Sequence, residues 1–231
     1  MELSPDGIIL WQRGPLVLNA TILYTWLVMG LLVLVSWAVT RNLSSGPEPS
    51  RWQTVLETVV IVVKDQIRDI TDRDPQPLLP FIGTLFLFIS ISNLLSAVPI
   101  YQAPTGSLST TAALAICVFF AVPIYGVTQQ GLATYLGHYV RPSPIMLPFQ
   151  IISELSRTVA LAVRLFGNVM SGSLIVALLL SIVPLFIPVV LQVLQLLIGQ
   201  IQAYIFAVLA TVYIASAMRK PEEQQESASS E

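Results

Sequence analysis

Residues 17–39 of this chain carry no charge and stop at Arg41, a pattern that predicts a first membrane-crossing helix with Tyr24, Trp26 and Trp37 as interfacial or packing aromatics. Ser, Gly and Pro crowd residues 44–50 and predict a linker. Over 51–71 the pattern changes. Trp52, Val55, Leu56, Val59, Val63, Ile67 and Ile70 share one helical stripe, while Glu57, Lys64, Asp65, Arg68 and Asp69 lie off it. That predicts an amphipathic helix lying on the membrane surface or on a partner helix. Around Ile61 and Val62 the segment is apolar all round, so a shallow re-entrant helix fits as well. Pro75, Pro77 and Pro80 end this region, and further spans are expected over 78–98 and 108–130, with a short polar turn between Pro99 and Pro104. Pro99 and Pro123 read as helix kinks or ends, without functional weight.

Two longer apolar stretches follow a Pro/Gly-rich connection, at 149–181 and 188–218. At 1.5 Å per residue each helix would be about 45–50 Å long, against a hydrocarbon core of about 30 Å, so they must tilt steeply or bend. On the first, Gln150, Ser153, Glu154, Arg157, Arg164, Asn168 and Ser171 fall within about a third of the circumference. On the second, Gln192, Gln195 and Gln202 align with Gly199 between them and Tyr213 beyond, while Gln200 points away. Amides in hydrocarbon need partners, so these two polar seams are expected to meet each other, another subunit or water.

The fold class is therefore an all-α polytopic membrane protein, read as one membrane domain over 1–231: five spans, one amphipathic surface helix, and a tail at 219–231 too polar to order. Composition agrees. Hydrophobic residues make up 55% and charged residues 10%, the mean hydropathy is +0.77, and no period-two alternation suggests a barrel. A net charge of −2 leaves no basic patch for nucleic acid. Cys117 stands alone, so no internal disulfide or thiolate metal cluster is expected. No nucleophile triad or phosphate loop is spaced as its chemistry requires, and no cofactor or metal is expected. The single histidine, His138, reads as a connection residue. Glu2 and Asp6 replace a positive leader, so the amino terminus is expected to be retained. Arg41, Arg51, Lys64, Arg68, Arg73, Arg141, Arg219 and Lys220 all fall on one side of a five-span topology, which predicts an outside amino terminus and a cytoplasmic carboxyl terminus.

Arg164 carries the most information. Its guanidinium never loses its charge and lies deep in an apolar run, which makes it a functional hypothesis by default. Glu154 and Arg157, three residues apart, read as an interfacial ion pair. Apart from Glu154, every Asp and Glu lies in a terminal segment or in the loop between the first two spans. The counter-charge of Arg164 is therefore expected from another chain; the bland alternative ties it to helix carbonyls or a neighbouring glutamine.

The run Glu154…Arg164-Leu165-Phe166-Gly167-Asn168…Gly172, followed by Gln202-Ala203-Tyr204-Ile205-Phe206, resembles subunit a of the rotary F-type ATP synthases, and the resemblance covers essentially the whole chain. It implies that Arg164 is the stator arginine facing carboxylates on a ring of c subunits. It further implies two offset half-channels, peripheral-stalk b subunits as partners, a bacterial inner membrane location, and nucleotide chemistry on other subunits. Asn168, Gln195 and Gln202 would line the aqueous approaches or orient the arginine. The chain departs from the family pattern where carboxylates or other titratable groups are common. It has Ser173 nine residues after the arginine, Gln195 seven before Gln202, Ser96 after Asn93, and Ser107 and Ser109 in the turn before the third span. An outer approach built of hydroxyls and amides suits either protons or partly hydrated sodium as the coupling ion. The rival reading is a stand-alone secondary transporter, against which stands the absence of repeat symmetry; a third is an assembly scaffold.

Overall fold

The computed structural model describes residues 9–13, 16–41, 51–71, 74–98, 101–132, 146–182 and 186–218. Among them are six α-helices: α1 Ala20–Thr40, α2 Arg51–Thr71, α3 Leu79–Leu95, α4 Leu108–Gln130, α5 Met146–Ile182 and α6 Phe186–Met218. α1, α4, α5 and α6 are long and apolar enough to cross a membrane, and α3 is a shorter apolar helix. The chain is thus polytopic and built on helices. Glu2, Asp6, the linker at 44–50, Arg73, Pro99, His138, Arg141 and the tail at 219–231 lie outside the described residues.

One small element goes beyond the hydropathy pattern. Strand β1 Ile9–Arg13 pairs antiparallel with β2 Leu16–Asn19, Arg13 opposite Leu16, with an irregularity between Ile9 and Trp11. Gly14 and Pro15 between them are turn formers. The hairpin takes residues 17–19 from the first predicted span, so α1 starts at Ala20 behind an extended Asn19.

Prolines mark helix starts. Pro80 opens α3, and Pro148 and Pro188 stand third in α5 and α6. The first four backbone N–H groups of a helix lack intrahelical partners anyway, so a missing donor there costs nothing. α3 closes with tightened i→i+3 bonds from Ser96, Ala97 and Val98 to Asn93, Leu94 and Leu95. α4 ends at Gly131, whose φ of 81° suits a residue without Cβ and whose N–H returns to Val127.

Packing converges on α6. Ala203, Phe206, Ala207, Ala210 and Ile214 of α6 are buried in one cluster with Ile82, Leu85 and Ile89 of α3, Ala115, Val118, Ala121 and Val122 of α4, and Leu161, Ala162 and Leu165 of α5. Small α6 residues let neighbouring helices approach closely, which is how helices associate where lipid tails are as apolar as the side chains. Polar ties fix the arrangement: Gln130 Nε2 donates to the Ala217 carbonyl (3.1 Å), and the Tyr204 hydroxyl donates to Gln66 Oε1, joining α6 to α2. On α2, Val63 and Ile67 are buried while Glu57, Lys64, Asp65, Arg68 and Asp69 are exposed, so the helix is amphipathic. Val60, Ile61 and Val62 are exposed too.

Candidate functional site

α5 buries Leu161, Ala162 and Leu165 against the bundle and turns Ser153, Arg157, Ala160, Arg164 and Ser171 outward. Side chains at these spacings share a face, so the polar seam expected from the sequence lies mainly on the uncovered side of the helix. Gln150, Glu154 and Asn168 are half-buried at its edge. Arg164 is exposed among the apolar residues Val159, Val163 and Ile175, which are also exposed.

The α6 seam divides between two neighbours. Gln195 reaches α5, its Nε2 at 3.5 Å from the Val169 carbonyl, and lies across Gly172 so closely that a Cβ there would stand 2.6 Å from its Cδ. Gln192 turns instead to α3, donating to the Ser96 carbonyl (2.8 Å). Gln202 is 6% exposed, and its Nε2 has no hydrogen-bond partner. Gln200 does point away from this seam: its Nε2 donates to the Ser90 carbonyl (2.9 Å), and the Ser90 hydroxyl donates back to its Oε1. Arg157 meets α6 as well, its guanidinium 5.5 Å from the centre of the Tyr213 ring. The sequence suggests Glu154 as the partner of Arg157; Glu154 has a polar interaction of its own, and its carbonyl accepts from Thr158. The contacts of Gly172 with Gln195 and of Arg157 with Tyr213 set an antiparallel register that puts Arg164 within about a turn of Gln202 and Phe206.

A second polar group forms where α3 meets α6 and the turn before α4. Asn93 Nδ2 donates to the Gly199 carbonyl (2.8 Å), and Asn93 Oδ1 accepts from Thr105 (3.4 Å). Ser96 bonds its hydroxyl to the Asn93 carbonyl (2.6 Å). Ser107 is fully buried ahead of α4, its hydroxyl 2.6 Å from that of Ser109. Ser173 bonds back to the Met170 carbonyl (2.9 Å), satisfying its hydroxyl within its own helix. Asn93, Ser96 and Thr105 are thus joined where α3, the turn before α4 and α6 meet, with Ser107 two residues beyond Thr105, and Gln202 lies along α6 between the level of Asn93 and that of Arg164. Ser90, Ser92, Tyr101, Gln102 and Thr105 belong to this region and do not stand out in the sequence; the hydroxyl-rich spacing Ser90, Ser92, Asn93, Ser96 inside an apolar run is the available signal. Among the described residues, no group of three or more His, Cys, Asp or Glu side chains could hold a metal ion.

The family model described as "ATP synthase A chain" matches residues 22–215. Curated relatives include "ATP synthase subunit a 2" of Acaryochloris marina, 63% identical over 217 residues, covering 94% of this chain and 93% of the relative. "ATP synthase subunit a 1" of Crocosphaera subtropica is 60% identical, with 94% and 95% covered. "ATP synthase subunit a" of Nitrosospira multiformis is 56% identical, with 94% and 86% covered. With a family model spanning most of its length and relatives of this identity over nearly all of it, the chain belongs to the ATP synthase A chain family.

Proposed function

We propose that this chain is the stator of a rotary membrane motor, coupling ion movement through two half-channels to rotation of a c ring and so to ATP synthesis or ATP-driven pumping. One observation carries the reading. Arg164 stands exposed on the uncovered polar seam of an otherwise apolar helix α5, with no hydrogen bond or ion pair among the described residues. A fixed cation on such a face suits a carboxylate that arrives on a moving partner. As the carboxylate passes, the guanidinium attracts it and displaces its bound ion. Because arginine does not give up its own proton, it also blocks leakage between the half-channels.

Asn168, Gln195 and Gln202 would line or orient the approach near Arg164, with Asn93, Ser96, Ser107 and Ser173 on the outer approach. The amino terminus would lie outside and the carboxyl terminus in the cytoplasm of a bacterial inner membrane, where peripheral-stalk b subunits would hold the chain against the ring. One charge moved through 100 mV yields about 2.3 kcal/mol, so several ions must be accumulated per ATP, which rotation accomplishes. The coupling ion is a proton or sodium.

The test is Arg164→Ala in the whole reconstituted complex. The expected result is an assembled complex with ATP-driven ion uptake abolished; uptake at parental rate would overturn the reading. ATP hydrolysis measured against sodium concentration at fixed high pH then separates the ions, since a flat response removes sodium.

A further inference from the structure

Amide-to-carbonyl bonds tie α6 to α3 at separate heights. Gln200 Nε2 donates to the Ser90 carbonyl (2.9 Å), and the Ser90 hydroxyl donates back to Gln200 Oε1. Gln192 Nε2 donates to the Ser96 carbonyl (2.8 Å). Between them Asn93 Nδ2 donates to the Gly199 carbonyl (2.8 Å). Numbers rise along α3 as they fall along α6, so the two helices run antiparallel. Gln192 and Gln200 are eight residues apart, about 12 Å along the axis. One bond alone would act as a pivot. Two bonds at this separation fix the angle at which the helices cross as well as their relative height. Apolar packing supplies no such register by itself, because lipid tails are as apolar as the side chains they would replace.

The contact with α5 falls between these two ties. Gln195 lies across Gly172 and reaches the Val169 carbonyl, and Gly172 is eight residues beyond Arg164 on α5. The place where α5 presses on α6 is therefore backed by α3 on both sides.

We propose that Gln192 and Gln200, with Ser90, are positioning residues that hold α6 as a braced support behind α5 and so keep Arg164 in place against the pull of a moving partner. This inference rests on the stator reading above. A carboxylate leaving Arg164 drags α5 along its own direction of travel. That force reaches α6 where Gln195 crosses Gly172, and a rod pressed between two supports bends far less than one held at a single point. Every group in the ties is neutral, so the brace holds without titrating.

The experiment uses the whole complex reconstituted in vesicles, with ATP hydrolysis and ATP-driven ion uptake measured together, first at zero membrane potential and then against a rising opposing potential. Gln200→Leu and Gln192→Leu keep a similar size and helix propensity. Without opposing potential each should move the parental number of ions per ATP. Against it, hydrolysis without ion movement should rise about threefold in each, the population shift that one interhelical hydrogen bond in a membrane supports, and further in the double variant. Ile214→Val trims a buried α6 residue away from the ties. It should lower the unfolding temperature of the complex and leave the ratio of ions to ATP under opposing potential unchanged, which separates positioning from stability alone. A parental ratio under opposing potential in either assembled glutamine variant, or equal uncoupling in Ile214→Val, overturns the brace. Failure of the stator reading looks different, because Arg164→Ala would then still pump.

Discussion

Gly172→Ala tests the contact between the two long helices most directly. A Cβ at this position would stand 2.6 Å from Gln195 Cδ, 2.7 Å from Nε2 and 2.9 Å from Cγ, so Gln195 must swing aside. It is a flexible side chain, and the cost of an off-rotamer torsion is about 0.5–1.5 kcal/mol. The bond it forfeits, to the Val169 carbonyl at 3.5 Å, is already at the limit of useful geometry and contributes less than ~1 kcal/mol. Against this, replacing glycine inside a helix gains up to ~1 kcal/mol. The single variant should therefore be near neutral, shifted by no more than ~1 kcal/mol either way. The informative quantity is the double-mutant cycle. In a Gln195→Ala background the obstruction is gone and Gly172→Ala should stabilise, leaving a coupling of about 1–2 kcal/mol. Thermal unfolding of the purified complex, compared across the four variants, measures it. Effects of Gly172→Ala that agree in both backgrounds to within ~0.5 kcal/mol would refute the contact. Ion uptake adds a second reading: if Gln195 serves the path, the double variant should regain stability without regaining transport.

Gly199→Ala should behave differently, because its Cβ would meet Asn93 Cγ at 3.1 Å and Cβ at 3.2 Å. The Cβ of Asn93 is fixed to the α3 backbone, so the helices must part, at ~1–3 kcal/mol, and Asn93→Ala should fail to relieve the loss in the same unfolding assay. Arg157→Lys and Tyr213→Leu should each cost no more than ~1 kcal/mol, the range of an exposed cation–π contact, and leave ATP-driven uptake running; abolished uptake in an assembled Arg157→Lys complex would place Arg157 on the ion path.

Helical periodicity makes the faces of α5 and α6 legible, because a 3.6-residue repeat fixes direction around an axis. It does not name the neighbour in that direction. Periodicity turns Gln200 away from the glutamine seam, yet its reciprocal bond with Ser90 requires knowing that α3 lies there. Gln192 and Gln195 share a face in sequence, but one bonds to α3 and the other to α5. Charge stands out against an apolar background, which is why Arg164 is conspicuous at once. Ser90 and Ser92 carry no charge, so the hydroxyl-rich spacing Ser90, Ser92, Asn93, Ser96 is the one signal the sequence offers for that region. The hairpin before α1 escapes the sequence for a related reason: short apolar strands next to a long apolar helix merge into one hydropathic run.

The placement of Arg164 leads outward from the chain on energetic grounds. A guanidinium at the middle of a membrane helix costs about 2.5–3.5 kcal/mol even on insertion-based scales. Between Asp74 and Glu222 the only acid is Glu154, ten residues earlier on α5 and so about 15 Å along the axis. At an effective dielectric of 20 that separation returns only about 1 kcal/mol, and Glu154 has another interaction of its own. Gln202 makes no hydrogen bond to Arg164 among the described residues, and its unbonded Nε2 is a donor like the guanidinium itself. Contacts among the described residues leave most of the cost of Arg164 unmet, whereas a carboxylate brought within about 4 Å would supply roughly 4 kcal/mol at the same dielectric. On the stator reading such an attraction exceeds the about 2.3 kcal/mol that one charge yields through 100 mV, so a carboxylate would leave only once an ion neutralises it.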